Sequence, residues 1–538
     1  MYLNDTALKD TGQWEEAGIE LPHFDRDAMI EATKTGPEWV HFGAGNIFRA
    51  FLAALQQDLL DKGLTKTGLI AASGYDGEAI ERVYRPYDNL SLLVTLKVSG
   101  TIEKKVIASI AEALRMDRDD QYGRMKEIFR SPSLKMVSFT ITEKTYNLLG
   151  AGGEYLPDTA DDFAAGPSNP KSYIGRIAAF TYERYLAGKF PLALVSMDNC
   201  SHNGDKLAAS VEAYARTWVE NGLAEKGFLD YIHDRGKVSF PWTMIDKITP
   251  RPDESVRAML EKLGFQDMDT QLTAKNTNAA PFVNAEEAQY LVIEDAFPNG
   301  RPPLEKAGVL FTERDTVDKV EKMKVCTCLN PLHTSLAVFG CLLGYTKISD
   351  EMKNPDLVKL VEIIGYQEGL PVVVDPGILS PRKFIDEVIR VRIPNPFMPD
   401  TPQRIATDSS QKIPIRFGET IKAYLANGNL NVNDLKLIPL TLAAWLRYLL
   451  GIDDTGKAFT VSPDPRYETL SKALNGIKLC DKGPFTAKLK PILEDKSIFS
   501  VNLYEAGLGE RVEAYFGELL SGPGAVAATL KKYVSMER

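Results

Sequence analysis

Several residue types that would point to metals, disulfides, membranes or nucleic acids are scarce in this chain. Only five cysteines occur in 538 residues: Cys200, Cys326, Cys328, Cys341 and Cys480. An odd count with three clustered in one helical stretch describes reduced thiols and not a disulfide framework. Cys326-x-Cys328 lacks the spacing of a zinc knuckle, and no His-Glu-x-x-His occurs. The five histidines are scattered, so no metal site is expected. Positive charge is also short, with 63 Lys and Arg against 73 Asp and Glu and a net charge of −10. Nucleic-acid recognition needs basic patches, so that role is not expected. No apolar run reads as long enough to cross a bilayer, and the acidic, polar N-terminus is unlike a signal peptide. There is no internal repeat and no low-complexity tract. The expectation is a cytoplasmic, metal-independent protein that acts on a small molecule, as a monomer or small homo-oligomer.

At this length two or three domains are expected. The stretch Glu321–His333 carries the densest chemistry, with Lys324, Asn330 and His333 in a Lys-x5-Asn-x2-His spacing. Residues 315–329 are compatible with a helix. Pro331 cannot continue that helix without losing a hydrogen bond and biases Asn330 away from the helical region. Asn330 therefore reads as the N-cap of a second helix with Pro331 at its first position. On one straight helix Lys324 and His333 would lie on opposite faces; a break between them lets both face one cavity. Glu321 sits one turn before Lys324 on the same face. A lysine ammonium can protonate a developing alkoxide, and an amide and an imidazole can orient that oxygen, which suits carbonyl reduction or alcohol oxidation. The same three residues equally describe a surface lysine, a helix cap and a partly buried histidine.

Earlier in the chain, Trp39-Val40-His41-Phe42 reads as a short apolar strand, followed by Gly43-Ala44-Gly45-Asn46-Ile47-Phe48-Arg49 and a helix to about Asp61. Gly43 permits the tight turn, and Gly45 lets the backbone approach a pyrophosphate at the helix N-terminus. Phe48 stands where the third glycine of the dinucleotide fingerprint is usual, so an ordinary strand–helix turn reads much the same. The next strand, Gly68–Ala72, runs to Asp76, a candidate partner for adenosine ribose hydroxyls that would repel a 2′-phosphate. Strands at Met136–Ile141 and Leu192–Met197 end at Thr142-Glu143-Lys144-Thr145-Tyr146 and at Asp198-Asn199.

Taken together these segments resemble the polyol-specific long-chain dehydrogenase/reductase family, that of the mannitol dehydrogenases. Lys324-x5-Asn330-x2-His333 matches its catalytic signature, and Gly43, Gly45 and Arg49 match its Gly-x-Gly-x3-Arg turn. Thr142–Tyr146 resembles its Thr-Glu-Lys-x-Tyr segment, and Asp198-Asn199 with Asn203-Gly204 its Asp-Asn-x3-Asn-Gly motif. Phe240–Ile248 resembles a segment ending Val-Asp-Arg-Ile, retaining Asp246 but with Lys247 in place of Arg. Arg404-x3-Asp408-x3-Lys412 resembles a substrate-contacting segment, with Ser409 where glycine is frequent. The resemblance spans roughly residues 39 to 450.

It implies an α/β protein: a Rossmann-type dinucleotide-binding domain over residues 1–285, followed by a mostly α-helical substrate domain over 286–538, with the active site in a cleft between them. It implies NAD as cofactor, with Gly43, Gly45, Asn46, Arg49, Asp76, Glu143, Lys144 and Asp246 near it. Lys324 is then the acid/base, Asn199 and Asn330 stabilise the oxyanion, His333 orients the oxygen and Glu321 relays the proton. Arg404 and Lys412 would contact substrate. Family substrates include fructose, fructuronate and tagaturonate. The Asn-x-x-Arg form of Asn46–Arg49 is closer to uronate-reducing members, so a keto-sugar acid is expected, D-fructuronate reduced to D-mannonate first. A catalytically silent NAD(H) sensor and a sugar-phosphate dehydrogenase are the rival expectations.

Overall fold

A computed structural model describes residues 1–536, which divide into two compact units, Met1–Asp318 and a second that begins at Lys319. The first is built on six parallel strands: β1 (Trp39–Phe42), β2 (Leu69–Ser73), β3 (Ile110–Arg115), β4 (Met136–Phe139), β5 (Leu192–Ser196) and β6 (Val238–Ser239). Their order across the sheet is β3-β2-β1-β4-β5-β6, the doubly wound arrangement of a Rossmann fold.

These strands read as continuous apolar runs because both faces are covered. Successive side chains point to opposite faces. Val40, Phe42, Ile70, Ala72, Val137 and Phe139 enter one core. Trp39, Ala71, Met136 and Ala193 enter the other. His41 is a core histidine. Its ring stacks on Phe48 at 4.5 Å, with Nδ1 2.7 Å from Ser138 Oγ and Nε2 2.9 Å from Thr140 Oγ1.

Helix α1 (Ala53–Asp61) follows β1 in the chain, and besides a two-stranded pair, Gln271–Leu272 with Asn278–Ala279, two smaller sheets complete this unit. One is four-stranded, with Ser91–Leu96 between Ile102–Ile107 and Phe282–Glu286. The other joins Thr243–Asp246, Tyr290–Glu294 and Leu310–Thr312. Residues 286–318, assigned by the sequence reading to the second domain, thus carry strands that pair within the first unit. Helix α2 (Arg314–Lys322) starts there, where Arg314 bonds Glu294 and Asp205, each at 3.0 Å, and lies 4.9 Å over the Trp242 ring.

The second unit is mainly helical. Helix α3 (Asn330–Leu343) is buried along most of its length. The run Arg314–Leu343 is long and apolar enough, by length and composition, to cross a membrane, which corrects the sequence expectation that no such run exists. In this fold 78% of its apolar window is buried inside the protein, as in the core helix of a globular domain. Between α2 and α3 the helix that the sequence predicts as continuous to Leu329 widens into a π-helical turn, Met323–Cys328.

Candidate active site

In the first unit, most of the predicted cofactor residues collect at the carboxyl ends of β1, β2 and β4, with Asn199 past the end of β5, where an open α/β sheet binds its ligand. Gly43 follows β1 directly, and its amide donates to Ala72 O at 3.0 Å. Its φ of +133° and a would-be Cβ only 2.3 Å from Thr140 Oγ1 leave room for glycine alone. A Cβ on Gly45 would meet nothing within 4 Å, so the backbone there faces open space. Gly45 O accepts the amide of Arg49 at 3.3 Å, the first bond of the helix running through Ala53–Asp61. The preceding amides therefore sit at the open, positive end of a helix, suited to a pyrophosphate. These features fit a dinucleotide.

Asn46 and Arg49 are engaged within the protein. Arg49 is buried; it donates to Ala280 O at 2.7 Å and to Asn46 Oδ1 at 2.9 Å. It braces the glycine turn, and burial lowers its pKa. Asp76 stands just past β2, and one carboxylate oxygen accepts from Thr273 Oγ1 at 2.6 Å. Lys144 is exposed beyond β4, and Glu143 beside it pairs with Lys206. Asp246 lies elsewhere, closing the strand Thr243–Asp246 opposite Tyr290. Lys247 next to it donates to Glu286 O at 3.0 Å and Gln289 Oε1 at 2.9 Å.

Two of the sequence segments brace each other, which the sequence alone does not reveal. The Tyr146 hydroxyl bonds both Ser196 Oγ and Asp198 Oδ2, and Ser196 Oγ also donates to Asp198 Oδ2 at 2.8 Å. Burial and the Asp198 charge raise the Tyr146 pKa, so the phenol stays a donor. Burial, then Asp198, pushes the Cys200 thiol up to about 12. Asn203 holds the far side of the loop, donating to Ser196 O at 3.2 Å and Asp198 O at 3.1 Å. Asn199, between these anchors, is exposed on a loop with fixed ends.

In the second unit, Lys324 occupies the π-helical turn and its carbonyl accepts the amide of Leu329 at 3.1 Å. Insertions of this kind re-aim side chains and recur at functional sites. The helix α3 that follows has Leu329 as its N-cap and Asn330 as its first residue, so it begins one position earlier than the sequence reading, which made Asn330 the cap. Leu329 has no polar side chain, so no side-chain cap bond is made at this helix start. His333 is partly exposed one turn further, its amide donating to Leu329 O at 3.1 Å. Glu321 is partly exposed near the end of α2.

Arg404 is exposed and pairs with Asp400. Lys412 donates to Ile405 O at 3.2 Å and to Thr407 O. Desolvation, with Arg416 next in importance, lowers its pKa. Arg416 was not singled out from the sequence. Its only signal there is the spacing of four residues from Lys412, one helical turn.

The comparisons agree with this geometry. The family model described as the mannitol dehydrogenase Rossmann domain matches residues 37–306, and that of the mannitol dehydrogenase C-terminal domain matches 316–519. The chain is 53% identical to a D-mannonate oxidoreductase of Thermotoga maritima, over the whole of both chains. It is 28% identical to a polyol:NADP oxidoreductase of Gluconobacter oxydans, across 85% of this chain and 88% of that one. Among solved structures, a ternary complex of Pseudomonas fluorescens mannitol 2-dehydrogenase with NAD and D-mannitol is similar, with a TM-score of 0.69 and 26% identity over 99% of this chain and 100% of that one. With a Rossmann strand order, a glycine turn open to a pyrophosphate and both family domains matched in sequence, this chain belongs to the mannitol dehydrogenase family.

Proposed function

We propose that this chain is a cytoplasmic, NAD-dependent oxidoreductase that interconverts D-fructuronate and D-mannonate at a CH–OH carbon. The observation that carries the reading is the 53% identity over the full length of both chains to a D-mannonate oxidoreductase. The Lys324–Asn330–His333 spacing, on the π-helical turn and the start of α3, supports it. Bound NADH would supply the hydride that reduces the ketone carbon. In that direction the Lys324 ammonium protonates the oxygen as negative charge develops on it. The amide of Asn330 donates a hydrogen bond to the same oxygen, and His333 fixes its position. Glu321 carries the replacement proton from solvent to Lys324.

NADH oxidation measured side by side with fructuronate, tagaturonate and fructose tests the assignment. Fructuronate is expected to give the highest kcat/KM, and a clear preference for fructose overturns the sugar-acid reading. Cofactor choice is a separate prediction. Asp76, held by Thr273, would repel a 2′-phosphate, so kcat/KM with NADH should exceed that with NADPH by about 10-fold or more. Asp76→Ser should narrow that ratio. A wild-type preference for NADPH would show that Asp76 does not face the ribose.

A further inference from the structure

A buried cation is normally kept with an opposite charge. Arg416, partly covered, has no acidic partner among the described residues. It lies in a π-helical turn, Pro414–Gly418, that packs against both the turn carrying Lys324 and helix α3. Its Nη1 donates to Thr334 Oγ1 at 2.6 Å, and that hydroxyl in turn donates to Asn330 O at 2.9 Å. Thr334 directly follows His333. Arg416 is thus tied to the turn that presents Asn330 and His333.

No described carboxylate pairs with its guanidinium, and desolvation pulls its pKa down to about 10. The side chain is only partly covered, so a ligand can reach it. Lys412, one turn earlier, is held by two carbonyl oxygens and not by an acid. Arg416 and Arg404 repel its charge, and Asp408 and Asp464 offset part of that repulsion. The start of α3 adds the positive end of a 14-residue helix. With Nη1 engaged by Thr334, the Nε and Nη2 edge of Arg416 makes no bond to a described residue, and that edge presents two parallel donors.

We propose that Arg416, with Lys412 beside it, receives the carboxylate of the sugar acid and sets the preference for acids over neutral ketoses. The inference rests on the sugar-acid reading above. A carboxylate supplies the charge that Arg416 lacks, in the two-pronged geometry that a guanidinium favours. A neutral ketose has only hydroxyls to offer, leaving the cation desolvated and unmatched.

The test is the ratio of kcat/KM for fructuronate to that for fructose, with NADH, in the wild type, Arg416→Met and Arg416→Lys. Arg416→Met is expected to lower the ratio on the order of 10²-fold, mainly through the KM for fructuronate. Arg416→Lys keeps the charge but loses the fork, and should lower it by about 10-fold. If the Met variant does not fold, the Lys variant alone decides. A wild type that prefers fructuronate, with an unchanged ratio in the folded variants, overturns the role of Arg416 and leaves the sugar-acid reading standing. A wild type that prefers fructose overturns both.

Discussion

Replacing Lys324 with alanine is expected to lower kcat for fructuronate reduction by about 10²–10⁴-fold, the usual contribution of a positioned acid or base. NADH affinity should stay close to wild type, because the glycine turn, Asp76 and the loop after β4 all belong to the first unit. Stability should change little, since Lys324 is partly exposed and its turn is held by the backbone bond from Leu329 to its carbonyl. Fluorescence titration with NADH and steady-state kinetics on the same preparation separate binding from chemistry. A variant with near wild-type kcat would remove Lys324 from the proton-transfer step. A variant that loses NADH binding as well would make the lysine structural.

The second large effect concerns stability. Glu351 ends the short helix Ile348–Glu351 and is fully buried, and neither carboxyl oxygen has a partner among the described residues. It lies so close to α3 that a Cβ on Gly340 would sit 2.0 Å from Oε1. Burial pushes its pKa up from 4.5 to about 9. Between those values the folded chain holds a proton that the unfolded chain releases. The stability from this group is therefore complete below pH 4.5 and is lost as pH rises towards 9. The slope approaches about 1.4 kcal/mol per pH unit. Glu351→Gln, which cannot ionise, should flatten the alkaline side of the Tm–pH curve and raise Tm at pH 8.5. Superimposable curves for the two proteins would show that Glu351 ionises without penalty in the fold. Acid acts oppositely through His41, whose pKa burial lowers to about 3, so its neutral form favours folding above pH 6.5 and loses ground below it.

How far the sequence led differs between the two units. The buried strands β1, β4 and β5 announced themselves as apolar runs, because a parallel strand covered on both faces has no polar side. The helices of the second unit were legible from their apolar periodicity. The pattern places helices at Leu437–Leu450, Glu510–Leu520 and Gly524–Val534, and the structure has them at Leu437–Tyr448, Gly509–Leu519 and Ala525–Ser535. Local pattern by itself thus determined the buried strands, the place of the glycine turn and the Lys-Asn-His spacing, whereas the fold class came with the family resemblance. The first three depend on neighbours along the chain.

Tertiary structure decided what depends on neighbours in space. Whether Arg49 faces a ligand or the core turned on the carbonyl of Ala280, 231 residues away. The bracing of Asn199 turned on Tyr146 reaching Asp198 across 52 residues. The π-helical turns at 323–328 and 414–418 have no sequence signature, because an extra residue in a helical turn is tolerated only where packing takes up the bulge. The unpaired charge of Arg416 and the protonated carboxyl of Glu351 have the same origin. Ionisation and hydrogen bonding answer to burial and to the groups within a few ångströms, and those are set by chain segments that the sequence places far apart.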